Sequence, residues 1–192
     1  ALYLAYSTLV AFGRKIKFGQ AGSRFGSATL LRAQPAAVWG FLLAHLGMAI
    51  CMVGITGMSV WAKEDAARLR IGESLTVGAY EYTLKSMTPG QADNYQFRKG
   101  IVEVSKKGKV IANLRSGQRF YAVREMITTE AGIQVRPMRN LYTGVGEGDP
   151  DKGWVVRAYV HPLVCWIWLG ALMIALAGFV SILGRRNSGV ST

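Results

Sequence analysis

One histidine lies in the middle of a long apolar segment of this 192-residue chain. The segment Ala36 to Trp61 contains no Asp, Glu, Lys or Arg, yet it contains His45. At ~1.5 Å per residue, a helix of this length crosses the ~30 Å hydrocarbon core of a bilayer. Because polar groups are costly there, such a histidine usually meets a proton path, a metal such as haem iron, or a hydrogen-bond acceptor on another helix.

The other residues that could bind a metal are His161, Cys51 and Cys165. Both cysteines lie in apolar segments, and they predict neither a disulfide nor a metal-binding pair. His161 lies at the boundary of a second apolar segment, on the side opposite to His45, and we expect it to anchor the chain at the membrane interface. A second ligand to iron held by His45 would therefore come from outside this chain. The sequence has no phosphate-binding glycine loop and no zinc-ligand spacing.

Two apolar segments, 36–61 and 158–184, predict two complete transmembrane helices. The first is bracketed by Trp39 and Trp61, as is typical of residues at the two membrane interfaces. The segment 1–13 is also apolar but reaches only ~20 Å as a helix, so it predicts the end of a further span. We therefore expect the chain to be a piece of a larger membrane protein.

Glycines recur at heptad spacing along one face of the first predicted span, at Gly40, Gly47 and Gly54. Small residues allow a neighbouring helix or a flat ligand to approach closely. Tight helix packing is the commoner reason for such a face.

The net charge of +12 is distributed unevenly along the chain. All eleven acidic residues lie between Glu64 and Asp151. In the segments 14–35 and 185–192, every charged residue is Lys or Arg. Short loops rich in Lys and Arg stay on the cytoplasmic side of a membrane. The sequence therefore predicts a cytoplasmic loop over 14–35, a cytoplasmic tail over 185–192 and an exported domain over 62–157, on the periplasmic side in a bacterium. This distribution argues against a nucleic-acid partner.

The central domain shows the alternation of apolar and polar residues that is typical of β-strands. The alternating runs are Tyr80–Leu84, Tyr95–Phe97, Ile101–Val104 and Val110–Leu114. Further short strand runs follow at Phe120–Val123, Ile133–Val135 and Trp154–Tyr159, separated by clusters of Gly, Asp and Pro such as Gly146 to Pro150. Lys106 to Lys109 predicts a hairpin turn, and Ala62 to Leu69 predicts a short helical continuation of the first span. We expect a membrane α-helical protein with an inserted all-β domain, a small antiparallel β-sandwich or barrel.

A series of motifs in the same order resembles the C-terminal portion of the CcmF family, the membrane subunit of the haem lyase in cytochrome c maturation. The motifs are Arg119-Phe120-Tyr121, Thr129-Glu130-Ala131-Gly132-Ile133, Arg139-Asn140-Leu141-Tyr142, Gly146-Glu147, Gly153-Trp154-Val155-Val156-Arg157 and Trp166-Ile167-Trp168-Leu169-Gly170. Ala44-His45-Leu46-Gly47 resembles the family's late transmembrane histidine motif. The resemblance covers essentially the whole chain.

The resemblance implies that His45 is one axial ligand of a transmembrane b-type haem, with the second ligand on the remaining part of CcmF. It further implies a transient substrate haem, delivered by the chaperone CcmE and attached through thioether bonds to apocytochrome c that CcmH/CcmI-type subunits present. This activity would need the rest of the protein or its partner subunits, and no catalytic residue of this chain is identified. The expected location is the bacterial inner membrane or its mitochondrial equivalent.

Two other functions stay open at this stage. In the first, the chain is a non-enzymatic assembly or docking subunit of the maturation machinery, and His45 forms a hydrogen bond between helices. In the second, it is a quinol-oxidising cytochrome b subunit of a respiratory complex. The effect of replacing His45 on bound haem and on cytochrome c maturation distinguishes these functions.

Overall fold

A computed structural model describes most of the chain, in two compact units. The described residues are 1–16, 29, 34–122 and 125–188, with the side chains of 185–188 left out. One unit comprises 1–56 with the C-terminal part from residue 165, and the other comprises 57–164. The first is helical and the second is built of β-strands.

Three helices are described: α1 (Leu2–Lys15), α2 (Ala36–Trp61) and α3 (Val164–Ser188). Within the described residues, α2 and the segment Val164–Gly184 are long and apolar enough to cross a membrane. The helix predicted over 36–61 is confirmed at both ends. Most of the predicted loop 14–35 lies outside the described residues, and α1 extends two residues past the predicted limit of 13.

Small residues allow α2 and α3 to pack closely. A Cβ atom added at Gly47 would lie 2.8 Å from the carbonyl oxygen of Gly170, and one added at Gly40 would collide with Ser181. The Cys51 thiol donates a hydrogen bond to the Ile167 carbonyl at 3.2 Å. For Gly40 and Gly47, the close approach predicted from the glycine spacing is therefore made by a helix of the same chain.

The β unit contains two antiparallel sheets. The strands are β1 (Lys63–Leu69), β2 (Ser74–Val77), β3 (Tyr80–Gln91), β4 (Gln96–Lys106), β5 (Lys109–Tyr121), β6 (Met126–Glu130), β7 (Gly132–Arg136), β8 (Arg139–Asp149) and β9 (Gly153–Pro162). The four-stranded sheet has the order β1-β9-β8-β7, and the five-stranded sheet has the order β2-β3-β4-β5-β6. The inserted antiparallel β-sandwich predicted from the sequence is confirmed.

The core of the sandwich is formed by alternate residues of the facing strands. Its fully buried side chains include Tyr82, Leu84, Val102, Leu141 and Val156. The Tyr82 hydroxyl donates a hydrogen bond to a backbone carbonyl of β9 at 3.0 Å. Burial raises the pKa of Tyr82 well above its ordinary value, so the side chain stays neutral in the core.

The hairpin predicted at Lys106 to Lys109 is also confirmed. Its central residues Lys107 and Gly108 have φ angles of 51° and 73°. Positive φ at both central positions is typical of the two-residue turns that match the twist of paired strands. The β4–β5 turn therefore follows from local sequence.

The helical continuation predicted for Ala62 to Leu69 is wrong, because Lys63–Leu69 is strand β1. It pairs along its whole length with β9, from Lys63 opposite Val160 to Leu69 opposite Trp154. A helix of seven residues is marginal by itself. Pairing with β9 gives the backbone groups hydrogen-bond partners and overrides the helical preference of the alanines.

The predicted boundaries of the last span are also wrong. Strand β9 runs to Pro162 and α3 starts at Val164, so the domain ends near 163 rather than at 157. Leu163, with a φ of 58°, separates the two elements. The apolar run is continuous because the buried strand β9 is followed directly by a helix long enough to cross a membrane. The sequence pattern therefore did not show where the strand ends and the helix begins. Helix α3 continues to Ser188, beyond the predicted limit of 184, and 189–192 lie outside the described residues.

Strand β8 was not predicted, because the strand runs identified in the sequence include no residue of Arg139–Asp149. The cluster Gly146 to Pro150 suggested a separator between strands, but β8 continues through it to Asp149. The register with β9 shifts between Val145 and Gly148, as at a β-bulge. Bulges accommodate the glycines that a sequence pattern assigns to a turn.

Candidate functional site

His45 has one ring nitrogen committed to its own helix. Its Nδ1 lies 2.9 Å from the carbonyl oxygen of Phe41, one turn earlier in α2. A carbonyl only accepts hydrogen bonds, so Nδ1 carries the proton and Nε2 keeps a free lone pair in the neutral ring. The imidazole also contacts the Phe41 ring, with the centroids 4.0 Å apart. This hydrogen bond is made within α2 and does not join two helices.

The imidazole of His45 points away from α3. At 3.6 residues per turn, position 45 lies about 140° around the helix from Gly40 and about 160° from Gly47, the two glycines that contact α3. The neighbours of His45 one turn away along α2 differ between its two flanks. Phe41 and Met48 on one flank are 50% and 45% exposed, whereas Leu42 and Ala49 on the other are 8% and 4% exposed. The flank of Phe41 and Met48 is therefore open to groups that the described part of the chain does not provide.

The donor set of this chain fits one axial position on haem iron. Among the described residues, no three or more His, Cys, Asp or Glu side chains are grouped so that they could hold a metal ion. A single imidazole with its Nδ1–H bound to a carbonyl is a common form of a histidine metal ligand. Haem ligation by His45 stays a prediction.

His161 belongs to the β unit, in strand β9, and not to the last span. Its ring contacts Tyr142 and Tyr159, with centroid distances of 4.9 and 5.7 Å. Burial lowers the pKa of His161, and the charge of Glu64 opposes this effect. The imidazole is therefore neutral near pH 7. Its predicted role at the membrane interface stays a prediction.

A cleft in the β unit was missed by reasoning from the sequence. It consists of two adjoining cavities of about 740 and 470 Å³, which share Gln118 and Glu147 as lining residues. We call this the β-domain cleft. Its remaining lining includes Arg68, Pro89, Gly90, Gln96, Phe97, Arg98, Phe120, Ile127, Thr129, Gly144, Gly146, Gly148, Asp149, Lys152, Val155, Arg157 and Tyr159.

Strand register explains why the cleft forms. In the five-stranded sheet, Phe120 pairs with both Gln96 and Ile127, so the three residues share one face. Further along β4 the same face is occupied by buried Val102 and Val104. The sequence signal for the cleft was therefore in β4, where alternate residues change from valine at one end of the strand to arginine and glutamine at the other.

The larger cavity of the cleft contains more positive than negative groups. Arg68, Arg98 and Lys152 line it together with Glu147 and Asp149. The Asp149 carboxylate already accepts backbone N–H groups of the following turn, including that of Lys152 at 2.7 Å. The Arg68 guanidinium donates a hydrogen bond to the Gly153 carbonyl at 3.1 Å, which holds this cation at the wall.

The motif Arg119 to Tyr121, which supports the family resemblance, lies at the end of β5 beside the cleft. The Arg119 guanidinium lies 5.0 Å from the centre of the Tyr95 ring and forms an ion pair with Glu130. A hydrogen bond with Tyr121 and the charge of Glu130 raise the pKa of Arg119 above its ordinary value. These contacts join the ends of β4, β5 and β6.

Comparisons with known proteins identify relatives of both units. The family model described as CcmF C-terminal beta-sandwich matches residues 60–162. "Cytochrome c-type biogenesis protein CcmF" of Pseudomonas aeruginosa is 37% identical over 155 residues, which is 81% of this chain and 24% of that protein. The protein of the same name from Haemophilus influenzae is 37% identical over 148 residues, covering 77% and 23%. The chain thus spans about a quarter of the length of these curated relatives.

A solved structure, Cytochrome c Heme Lyase CcmF, has the same fold. It superposes with a TM-score of 0.71 over 94% of this chain and 28% of that chain, at 18% sequence identity.

Proposed function

The chain belongs to the CcmF family of cytochrome c-type biogenesis proteins, and on this premise we propose that it forms the C-terminal part of a cytochrome c haem lyase. In this proposal His45 is one axial ligand of a b-type haem within the membrane. The remaining part of the lyase provides the second ligand. Helix α2 holds the imidazole, and its face opposite α3 receives the cofactor.

The observation that carries the proposal is the hydrogen bond from Nδ1 of His45 to the Phe41 carbonyl. It fixes the tautomer and restrains the ring, and it leaves Nε2 as the ligating atom. Such a bond also raises the basicity of a histidine ligand. When bound, the haem supplies a one-electron redox centre whose potential depends on its axial ligands and its burial.

We propose that α2 and α3 cross the bacterial inner membrane and that the β unit lies on the periplasmic side. The segment before α2, 14–35, and the C-terminal segment 185–192 contain basic residues without acidic ones, which favours their retention in the cytoplasm. On the periplasmic side the β unit would meet the haem chaperone CcmE, CcmH/CcmI-type subunits and apocytochrome c. Because no acid, base or nucleophile of this chain is assigned, its task is to hold haem and to position these partners.

The test is a reduced-minus-oxidised optical spectrum of the complex that contains this chain, compared between wild type and His45→Ala at equal protein levels. Loss or displacement of the b-type absorption bands is expected, because the substitution removes an axial ligand. A His45→Gly variant supplied with free imidazole should recover part of the signal. Recovery distinguishes lost ligation from misfolding.

His161→Gln is the matched control, because it removes the other histidine of the chain from the β unit. Its spectrum should equal that of wild type. An unchanged b-type signal in His45→Ala would refute the ligand assignment. Unchanged maturation of cytochrome c in that variant would favour the assembly subunit.

A further inference from the structure

We propose that the β-domain cleft binds an extended segment of an acidic polypeptide. The inference extends the proposed function by giving the β unit a class of partner. It depends on that function only for the side of the membrane on which the partner is met. Binding of the segment does not involve His45, so the two proposals fail separately.

Two glycines of β8 leave a wall of the cleft without side chains. A Cβ atom added at Gly144 would come no closer than 3.9 Å to Thr129, and one at Gly146 would lie 3.5 Å from the Val155 carbonyl. Neither glycine has a positive φ. In contrast, a Cβ atom at Gly148 would collide with the backbone of Gly153.

Packing therefore requires glycine at 148 but not at 144 or 146. Glycine within a strand marks places where a ligand or another backbone approaches closely. Gly146 lies in the β-bulge of this strand, but Gly144 lies before it. A polypeptide backbone lying along β8 accounts for Gly144, which neither strain, packing nor the bulge explains.

A buried donor lies beside the larger cavity of the cleft. Trp154 is only 6% exposed, and its indole N–H has no hydrogen-bond acceptor among the described residues. It lines a smaller cavity of about 330 Å³ that shares Arg98 and Gly148 with the cleft. Buried polar groups are rarely left unpaired. A backbone carbonyl of a bound segment is a suitable acceptor, and the amides of Gln96 and Gln118 suit the N–H and C=O groups of an extended chain.

Strand β6 provides an edge for such a segment. It is the last strand of its sheet, and Met126 and Ile127 on it are 43% and 50% exposed. Natural edge strands are usually protected by lysine, proline or a covering loop, and the sequence of β6 contains neither lysine nor proline. An added strand would pair with this edge and place alternate side chains over Phe120 and Ile127.

The charges of the cleft select an acidic segment. Three cations, Arg68, Arg98 and Lys152, line the larger cavity with the two carboxylates, an excess of one positive charge. Backbone carbonyls hold the two guanidinium groups in the wall, and backbone N–H groups engage the Asp149 carboxylate. A haem is a poorer fit, since none of the described residues lining the cleft is His or Cys.

The experiment uses the full chain purified in detergent and a fluorescein-labelled peptide of eight residues that alternates Glu with Val or Phe. The control peptide has Lys in place of each Glu. Fluorescence anisotropy should show saturable binding of the acidic peptide, about tenfold tighter than that of the control. Arg98→Gln should weaken this binding about tenfold, which is the ordinary size of a lost charge-assisted hydrogen bond.

Gly144→Val fills the cleft without disturbing the fold, because the position has room and valine favours strands. Binding should fall about tenfold while the thermal midpoint stays equal or rises. Gly146→Val is the second variant if the first unfolds. Lys107→Gln is the charge-matched control, at the turn between β4 and β5 and thus at the other end of these strands from Gln96 and Phe120; its binding should match wild type.

Equal affinity for the two peptides would overturn the inference. Unchanged binding in both glycine variants with intact folds would also overturn it. Displacement of the peptide by haemin with a change in the Soret band would assign the cleft to a porphyrin instead. Retained peptide binding in His45→Ala is expected, whatever the optical spectrum of that variant shows.

Discussion

Ser116 joins three strands of the β unit, and its removal should weaken the sandwich at one point. The hydroxyl donates a hydrogen bond to the Glu130 carbonyl at 2.7 Å and accepts one from the Val145 N–H at 2.9 Å. The side chain is 3% exposed. On β8 the pairing with β7 ends where Thr143 faces Gly132, so the Val145 N–H has no β7 partner. Ser116 provides the acceptor from the other sheet.

Ser116→Ala leaves a buried N–H and a carbonyl without this partner. An unsatisfied buried group costs ~1–3 kcal/mol, so we expect a local loss of about 2–3 kcal/mol. At 1.4 kcal/mol for each factor of ten, amide exchange in the β8 segment that contains Val145 should accelerate by roughly 30- to 150-fold. Hydrogen exchange with mass spectrometry on the detergent-purified chain measures this change.

The matched control is Ser74→Ala, because its hydroxyl forms an exposed bond with Glu81 at 2.9 Å. Exposed substitutions usually change stability by less than ~0.5 kcal/mol, so exchange in β8 should stay within about threefold of wild type. Exchange of Ser116→Ala within that same range would contradict the prediction, because the bond between the sheets would then contribute nothing to their cohesion.

Three further predictions follow from burial, helix packing and backbone geometry. Burial lowers the pKa of His161, so below about pH 6.5 the unfolded chain binds a proton that the folded chain does not. The thermal midpoint should therefore fall between pH 7 and pH 5.5. His161→Gln should make the thermal midpoint depend less on pH. Gly170→Leu should lower the melting temperature in detergent, since its Cβ would lie 2.7 Å from the Cys51 backbone nitrogen, whereas Gly178→Leu, with nothing within 4 Å, should not. Gly108→Val should cost about 1–2 kcal/mol in urea unfolding, because its φ is 73°.

The elements whose cause is local could be predicted from the sequence. An apolar run as long as Ala36 to Trp61 forms a helix whatever it packs against, and the helix has the predicted ends. The turn at Lys107 and Gly108 is equally local, because two adjacent positive φ angles and one glycine suffice. Alternation in β3, β4 and β5 predicted a β unit for the same reason.

The candidacy of His45 was also visible in the sequence. A lone imidazole within an apolar run is a local signal, and its bond to the carbonyl four residues earlier follows from helix geometry. The direction of its ring was not visible. It depends on which face of α2 the glycines give to α3, and therefore on contacts between helices.

The conformation of the remaining segments depends on contacts between residues that are distant in the sequence. The alanines of Lys63–Leu69 favour a helix locally. The segment is nevertheless a strand, because it pairs with β9, whose Val160 is nearly a hundred residues further along the chain than its partner Lys63. The β-domain cleft has the same origin, since its walls come from strands that are distant in sequence. Local propensity is worth fractions of a kcal/mol per residue, whereas a paired strand satisfies every second backbone group and buries side chains. The sequence pattern shows the local propensity, but it does not show which distant strand pairs with a segment, and so it cannot show which of the two contributions is larger.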